Sequence, residues 1–257
     1  MRTALVRRTV LAASAVSLAL LATACGSDKA DDKKADAKPS AAAAASEAPA
    51  AKAKTSAELT SALVAQADLP DHVVKPATAA ELAAASGTKS DKPECQPLVS
   101  AQSMAPIGTV VGTAGTKAVA KGKEPAADAS PEEKLKAGLN ALGATATSVS
   151  LHSYEGKGAA EAFATLKAAG TACAGGYTGG QGGDSLKITK VAPGAAVTGG
   201  DEALAYTVTG DADGSPMSME LVVVRKGGTL ATFSAVSLAG AAEQPKAVID
   251  AQVKKLG

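Results

Sequence analysis

The sequence has no tryptophan, only two phenylalanines and only three tyrosines among its 257 residues. Aromatic rings stack on the bases of single-stranded nucleic acids and form the floors of many sugar sites, so both kinds of site are poorly supplied here. The net charge is +1, which provides no strong field to attract nucleic acid. We therefore expect no nucleic-acid partner, and a core built from alanine, valine and leucine.

Metal ligands are also scarce. The two histidines are His72 and His152, and no Cys-x-x-Cys motif accompanies them, which leaves no zinc site. Asp211 and Asp213 resemble the opening of a calcium loop, but no glutamate stands at the twelfth position, so a hairpin turn is the better interpretation. The glycine-rich run 175–183 lacks the Lys-Ser/Thr ending of a phosphate loop. We predict no metal and no cofactor.

The N-terminus has the parts of a secretory signal. Three arginines precede the apolar run Val10–Ala22, which is short for a spanning helix because that needs about 20 apolar residues. The small residues Ala22, Thr23 and Ala24 then lead into Cys25, which resembles the lipobox of bacterial lipoproteins. This resemblance implies that residues 1–24 are removed and that Cys25 is acylated. An ordinary cleaved signal with an incidental cysteine is the alternative.

The segment after Cys25 cannot build a core. From Ser27 to Lys54 it contains no aromatic residue and no Leu, Ile, Val or Met, and its charges alternate in sign. Because little apolar area can be buried, the entropic cost of ordering this segment is not offset. We expect residues 25–55 to form a lipidated, disordered tether that holds an extracellular domain, residues 56–257, near the cell membrane.

The cysteine count indicates a disulfide. The chain has three cysteines, and acylation of Cys25 leaves Cys95 and Cys173 as an even pair outside the cell. We predict that these two are bonded to each other. Two free thiols or a catalytic cysteine are the alternatives, but neither residue has a neighbouring histidine or charge in sequence that would lower the pKa of its thiol.

Residue periodicity predicts an α+β fold with one antiparallel sheet and packed helices. Five helices are expected: one after Thr55, one after Thr78, one after Ser130, and two over about 157–169 and 244–256. The first should bury Leu59, Leu63 and Ala67, and the third should bury Leu135, Leu139 and Leu142. The last of these should bury Val248, Ile249, Val253 and Leu256.

Alternating residues predict strands over 145–154, 186–191 and three C-terminal segments that form a meander, of which the segment around Val222 is apolar on both sides and hence central. Val73 and Val74 are candidates for an edge strand. We expect loops over Thr109 to Pro125 and in the glycine-rich run before Ser185.

Two candidate sites deserve a test. Gly183-Asp184-Ser185-Leu186 matches the signature of GDSL serine esterases, but both histidines precede Ser185, whereas that family places its histidine after the serine. Serine hydrolysis at Ser185 is therefore a weak alternative. His152 and Tyr154 share a strand face opposite Val149 and Leu151, so they are weak candidates for lining a binding cleft, against the simpler interpretation of satisfied core or surface residues.

The order of features resembles a known group of proteins. A lipobox and tether lead to a helix ending at Ala67-Asp68-Leu69-Pro70, then Cys95, a strand, a helix running into Cys173, and a Gly200-Asp201-Glu202 turn before a meander. This resembles actinobacterial cell-envelope lipoproteins related to the PknH-like extracellular sensor domain of mycobacterial kinases, over about residues 56–257. The resemblance implies an α+β domain with a cleft for an unknown ligand, and no catalytic residues.

The function predicted from these features is non-enzymatic binding of a small molecule, a wall component or a protein by a membrane-anchored, extracellular domain. A carrier of lipid or another apolar ligand is the alternative, and it requires an apolar cavity of several hundred Å³.

Overall fold

The computed structural model describes residues 52–122, 125–126, 128–135, 144–182, 184–212, 214–237 and 241–257. The helices are α1 (Ser56–Ala62), α2 (Ala79–Ala85), α3 (Gln96–Gln102), α4 (131–135 in the described part), α5 (Gly158–Ala172) and α6 (Lys246–Leu256). The strands are β1 (His72–Pro76), β2 (Lys89–Ser90), β3 (Gly112–Ala120), β4 (Ala146–Ser153), β5 (Tyr177–Gln181), β6 (Asp184–Pro193), β7 (Glu202–Ala212), β8 (Ser215–Lys226) and β9 (Thr229–Val236).

These strands form a single antiparallel sheet in the order β1-β3-β4-β9-β8-β7-β6-β5-β2. The order confirms the predicted α+β class, the meander β7-β8-β9 and the edge strand around Val73 and Val74. β8 lies in the middle of the sheet, as its apolar residues on both sides predict: Leu221, Val222, Val223 and Val224 are all fully buried. Both faces of the sheet must therefore be covered.

Helices cover both faces. On one, called the α5 face, α3 and α5 pack over β6 to β9, with Phe163 and Leu166 against Val208 and Leu221. On the other, called the α6 face, α1 and α6 pack over the first strands and the centre of the sheet, with Leu59, Val248 and Ile249 among the buried residues. Each of these four helices buries its apolar side chains against the sheet, which is the physical reason for this layered arrangement.

Local sequence determines where the first helices begin. Thr55 and Thr78 are N-caps whose side chains accept a hydrogen bond from the backbone of Glu58 and Glu81, and each glutamate accepts one back from its threonine. These reciprocal bonds satisfy backbone donors that a helix start would otherwise leave free. The predicted starts of α1 and α2 are confirmed.

The prediction of a loop over Thr109 to Pro125 is wrong. Gly112–Ala120 is strand β3, which pairs with both β1 and β4. Its small residues are what allow close packing: a Cβ on Gly112 would lie 2.5 Å from the carbonyl oxygen of Lys54, and one on Gly115 would lie 3.0 Å from Leu82. Low hydrophobicity here reflects tight packing under neighbouring segments, not exposure to solvent.

The expected glycine-rich loop before Ser185 is also mostly strand. Tyr177–Gln181 forms β5, which pairs with β6 and β2. A Cβ on Gly179 would lie 3.0 Å from Val99 of α3, and a Cβ on Gly180 would lie 2.0 Å from the carbonyl oxygen of Asp184. The glycines therefore let β5 approach α3 and its own hairpin partner closely.

Three predicted buried stripes extend too far. α1 ends at Ala62, so Ala67 lies in a short 3₁₀ turn (Gln66–Asp68) and is exposed. Leu135 is 66% exposed, which contradicts its predicted burial, and Leu139 and Leu142 lie outside the described residues. On α6, Val253 is only half-buried, because Gln252 occupies the fully buried position between Val248 and Leu256.

The predicted turns of the meander are confirmed. In the β7–β8 turn, the backbone N–H of Gly214 donates to the carboxylate of Asp211, and the β8–β9 turn contains Gly227 at φ 56°. Before β7, Asp201 and Glu202 both form ion pairs with Arg225. Within the described ranges, no helix combines the length and apolar character needed to cross a membrane.

Candidate ligand-binding site

The disulfide predicted between Cys95 and Cys173 is present. The two Cα atoms lie 5.8 Å apart, 78 residues apart in sequence, and both residues are buried. The bond joins the segment entering α3 to the end of α5, so it fixes the two helices that cover the α5 face. Cys25, the predicted acylation site, lies outside the described residues.

A pocket of about 530 Å³ lies where β4 ends and α5 begins. We call it the Tyr154 pocket. Its walls are the loop 107–111 and the first two turns of α5, and charged side chains stand among its lining residues: Ile107, Gly108, Thr109, Val111, Tyr154, Glu155, Lys157, Gly158, Glu161, Ala162 and Thr165. Its volume is in the range of small-molecule sites, about 300–1,000 Å³.

Tyr154 forms the floor between the two walls. A Cβ on Gly158 would lie 3.1 Å from the Cβ of Tyr154, so the first turn of α5 rests directly on the base of this side chain. Burial raises the pKa of Tyr154 to about 12, and the backbone of Ile107, in the opposite wall, offsets part of that rise. The hydroxyl of Tyr154 is buried, and its contact with the backbone of Ile107 does not meet the distance and angle of a hydrogen bond.

His152 lies on β4, two residues before Tyr154. It is 2% exposed, and its Nδ1 lies 3.3 Å from the hydroxyl oxygen of Thr113 on β3. Its Nε2 is buried without a partner. Desolvation lowers the pKa of His152 to about 4, so the ring is neutral at pH 7.

Ser150, His152 and Tyr154 together form a feature that we call the polar strip. They occupy alternate positions along β4 and the residue after it, so their side chains lie on the same face of the sheet. In the described part of the chain four buried side-chain atoms have no hydrogen-bond partner, and three of them are Ser150 Oγ, His152 Nε2 and Tyr154 OH. Each such group costs about 1–3 kcal/mol of stability when left unpaired.

The opposite face of the same strand shows that this polarity is local. Val149 and Leu151 are fully buried and pack with Phe233 and Ala231 on the α6 face. On the α5 face, the cross-strand neighbours of Ser150 are Gly115 and Thr232. An apolar residue would fit a buried strand better than serine or histidine, so the polar strip is a local cost that a binding site would explain.

Both predicted candidates for ligand binding thus lie on this strip, but only Tyr154 lines the pocket. Ser150, Gly158 and the loop 107–111 were missed. The alternation of Ser148, Ser150 and His152 with Val149 and Leu151 is a signal that could have identified Ser150. Nothing local in sequence indicates that the loop 107–111 faces α5, because that contact is tertiary.

The geometry does not support a serine hydrolase at Ser185. This residue is exposed near the start of β6, and Gly183 of the motif lies outside the described residues. β4, which carries His152, is four strands away in the sheet, and β1, which carries His72, is six away. At about 4.8 Å per strand these separations are roughly 19 and 29 Å, far beyond hydrogen-bond reach.

Metal chemistry finds no support in the ranges that the structure describes. No group of three or more His, Cys, Asp or Glu residues there could hold an ion. Asp211 instead accepts a hydrogen bond from Gly214 in the predicted hairpin turn.

No protein-family model and no curated protein matches the sequence. Among solved structures, the chain is similar to the extracellular domain of PknH from Mycobacterium tuberculosis, with a TM-score of 0.46 and 12% sequence identity. The similarity covers 80% of this chain and 96% of that one. It is a distant resemblance, and no residue of this chain takes a role from it.

Proposed function

We propose that this protein is a lipid-anchored, extracellular binding protein that holds a small molecule in the Tyr154 pocket and catalyses no reaction. The observation that carries the proposal is the pocket itself, about 530 Å³ in volume, which is lined in part by Tyr154, a residue whose buried hydroxyl has no hydrogen-bond partner. The volume is typical of a small-molecule site, and the lining mixes polar with apolar side chains.

The proposed location rests on the sequence and on the disulfide. The signal-like residues 1–24, Cys25 in a lipobox-like setting and the polar segment up to residue 55 favour export, acylation and tethering. A buried disulfide between Cys95 and Cys173 is compatible with an oxidising compartment outside the cytosol.

A carrier of lipid or another apolar ligand is less well supported. The lining of the Tyr154 pocket includes Glu155, Lys157 and Glu161. A more apolar cleft between α3 and β6, lined by Val99, Leu186, Ile188 and Met219, has a volume of about 170 Å³. That is small compared with an acyl-chain site of several hundred Å³.

The test blocks the pocket from its exposed wall. Thr165 lies on the solvent side of α5 and lines the pocket, whereas Thr171 is an exposed threonine on the same helix outside it. The full chain is extracted from membranes in mild detergent, and the small molecules that copurify are identified by native mass spectrometry. Thr165→Trp is expected to abolish copurification, and Thr171→Trp to leave it unchanged. Equal copurification with both variants would refute the pocket as the site.

A further inference from the structure

The polar strip runs from the floor of the Tyr154 pocket into the interior. Residues at alternate positions of a strand lie about 6.8 Å apart on one face, so Ser150 is roughly 14 Å from Tyr154. His152 lies between them, and the free polar atom of each residue is buried. The strip thus provides a row of three hydrogen-bonding residues, of which only Tyr154 lines the pocket.

The cross-strand neighbours of the two inner residues of the strip, His152 and Ser150, are uncharged. Across the sheet on the same face lie Thr113 beside His152, and Thr232 beside Ser150. Each hydroxyl can both donate and accept a hydrogen bond, and a neutral imidazole donates at one nitrogen and accepts at the other. A charged ligand group placed here would be desolvated without a counter-ion, which is strongly unfavourable.

A loop borders the outer end of the strip at Tyr154. Residues 103–111 run from the end of α3 to β3, and Ile107 of this loop lines the pocket. Backbone N–H groups anchor it at Ala105, which donates to Ser100, and at Val111, which donates to Ser153. Between these two anchors, residues 106–110 form no backbone–backbone hydrogen bond with any other described residue. Few backbone hydrogen bonds therefore hold this part of the loop, and its movement would chiefly expose the buried side chains of Met104, Ala105 and Ile107.

Backbone strain is found at the base of the same loop. Met104 has φ 66°, and it is the non-glycine residue of the described chain that adopts a left-handed conformation. For a residue with a long side chain this conformation is disfavoured, and such strain is found preferentially at binding and switch regions. Gly108, at φ 76°, supplies a second left-handed position without a steric penalty.

We propose that the Tyr154 pocket extends inward along the polar strip when the loop 103–111 moves, and that the extended site binds a neutral, elongated, hydroxyl-rich molecule of the polyol or short-saccharide class. This inference rests on the proposed function and names its ligand class. Hydroxyl groups spaced along such a molecule pair with Ser150 Oγ, His152 Nε2 and Tyr154 OH. Recognition is by hydrogen bonds and not by ring stacking, because Tyr154 is only 2% exposed.

The test compares variants that remove a buried hydroxyl group without a hydrogen-bond partner with variants that remove a buried hydroxyl group that has one. Tyr154→Phe and Ser150→Ala each remove an unpartnered hydroxyl. Tyr177→Phe and Ser100→Ala are the matched controls, since Gln102 donates to the Tyr177 hydroxyl at 2.7 Å and Gln96 donates to that of Ser100 at 3.3 Å. All four residues are buried.

Two measurements are made on the detergent-solubilised full chain. Without ligand, Tyr154→Phe and Ser150→Ala are expected to keep or raise Tm, by up to about 5 °C, while both controls lower it. Calorimetric titration then uses a panel of neutral mono-, di- and trisaccharides and linear polyols, with inorganic phosphate and spermidine as charged comparators. The wild type and controls should bind a neutral probe, and each strip variant should weaken that binding about tenfold.

Three results would overturn the inference. If no neutral probe binds saturably, the ligand class is wrong. If a charged comparator binds instead, the same conclusion follows. If the strip variants raise Tm without changing binding, the strip holds ordered water only. In each case the proposed function still stands, provided that Thr165→Trp blocks copurification of the natural ligand.

Discussion

At the scale of single residues, the most informative side chains are polar ones in buried positions. Gln252 is fully buried on α6, where its Oε1 accepts a hydrogen bond from the backbone of Val64 and its Nε2 donates to the carbonyl of Ala62. It thus pairs backbone groups at the end of α1 from 190 residues away. The helical spacing of Val248, Gln252 and Leu256 places position 252 on the buried face, but a search for apolar residues selects the neighbouring Val253 instead.

Replacement of Gln252 by leucine should lower the free energy of unfolding by about 2 kcal/mol or more, because two backbone groups lose their partner inside the protein. Gln244→Leu is the control, since its side chain makes one exposed hydrogen bond to Ala195. Urea denaturation of the mature chain measures both. Equal losses in the two variants would show that the buried amide has no special role.

The ion pair between Glu81 and Lys117 predicts a defined pH response. The hydrogen bond from Lys117, followed by those from Thr78, lowers the pKa of Glu81 from 4.5 to about 2. Because the folded value is the lower one, this contribution to stability is complete above pH 4.5 and is lost as the pH falls towards 2. The carboxylate is exposed, so solvent screens the interaction and keeps the effect small.

We expect carbon-detected NMR to give a titration midpoint for Glu81 well below 4, and Lys117→Gln to move that midpoint upwards. In Glu81→Gln, stability should fall less steeply between pH 4.5 and 2 than in the wild type. Glu94→Gln, at another exposed position, serves as the comparison. An unchanged midpoint in Lys117→Gln would contradict the assigned cause.

At the scale of elements, close approaches decide how helices sit on the sheet. α5 crosses β7 at Gly170, where an added Cβ would lie 2.1 Å from the hydroxyl oxygen and 2.2 Å from the Cζ of Tyr206. The same hydroxyl donates to the carbonyl of Lys167. Gly170 is buried on α5, but the sequence does not reveal which residue of the sheet it meets.

Gly170→Ala should therefore destabilise the protein by about 1–3 kcal/mol, in spite of the better helix propensity of alanine. In a Tyr206→Ala background the same substitution should become stabilising by up to about 1 kcal/mol, since only the propensity remains. Thermal unfolding of the four proteins in this cycle checks the reversal of sign. If Gly170→Ala still lowers the stability in the Tyr206→Ala background, the steric clash is with a residue other than Tyr206.

The disulfide stabilises the pair α3 and α5. With a separation of 78 residues between the cysteines, the chain-entropy treatment gives about 4 kcal/mol for its removal. The paired variant Cys95→Ala/Cys173→Ala should show this loss by urea denaturation, and the reduced wild type should behave similarly. A loss below about 1 kcal/mol would mean that the packing of the two helices is sufficient without the bond.

At the scale of the whole molecule, the two ends of the sheet are protected from pairing with another strand. Gln66 donates to the carbonyl of His72 and accepts from the N–H of Val74 along the edge strand β1. At the other end, the edge strand β2 is only two residues long, and Asp91 accepts from the N–H of Thr178 on β5 just beyond it. Side chains thus satisfy backbone groups at both edges of the sheet, which counters edge-to-edge aggregation.

The proposed anchor gives a prediction for the whole chain. Cys25→Ala should abolish incorporation of labelled palmitate and release the protein from the membrane fraction, because the acyl chains provide the membrane affinity. The paired variant at Cys95 and Cys173 should still be acylated. If the intact mass of the wild-type mature chain shows an unmodified N-terminus, the anchor and the assignment of the cysteines both fail.

The sequence alone determined the α+β class, the central position of β8, the cap residues of α1 and α2, and the Cys95–Cys173 pair. These follow from local periodicity, from side chains that bond their own backbone, and from cysteine counting. Tertiary structure alone decided that the glycine-rich segments are strands β3 and β5, because their stability comes from close contacts with distant residues. It also decided the candidate site, since the loop 107–111 meets α5 above Tyr154 only when the sheet is assembled.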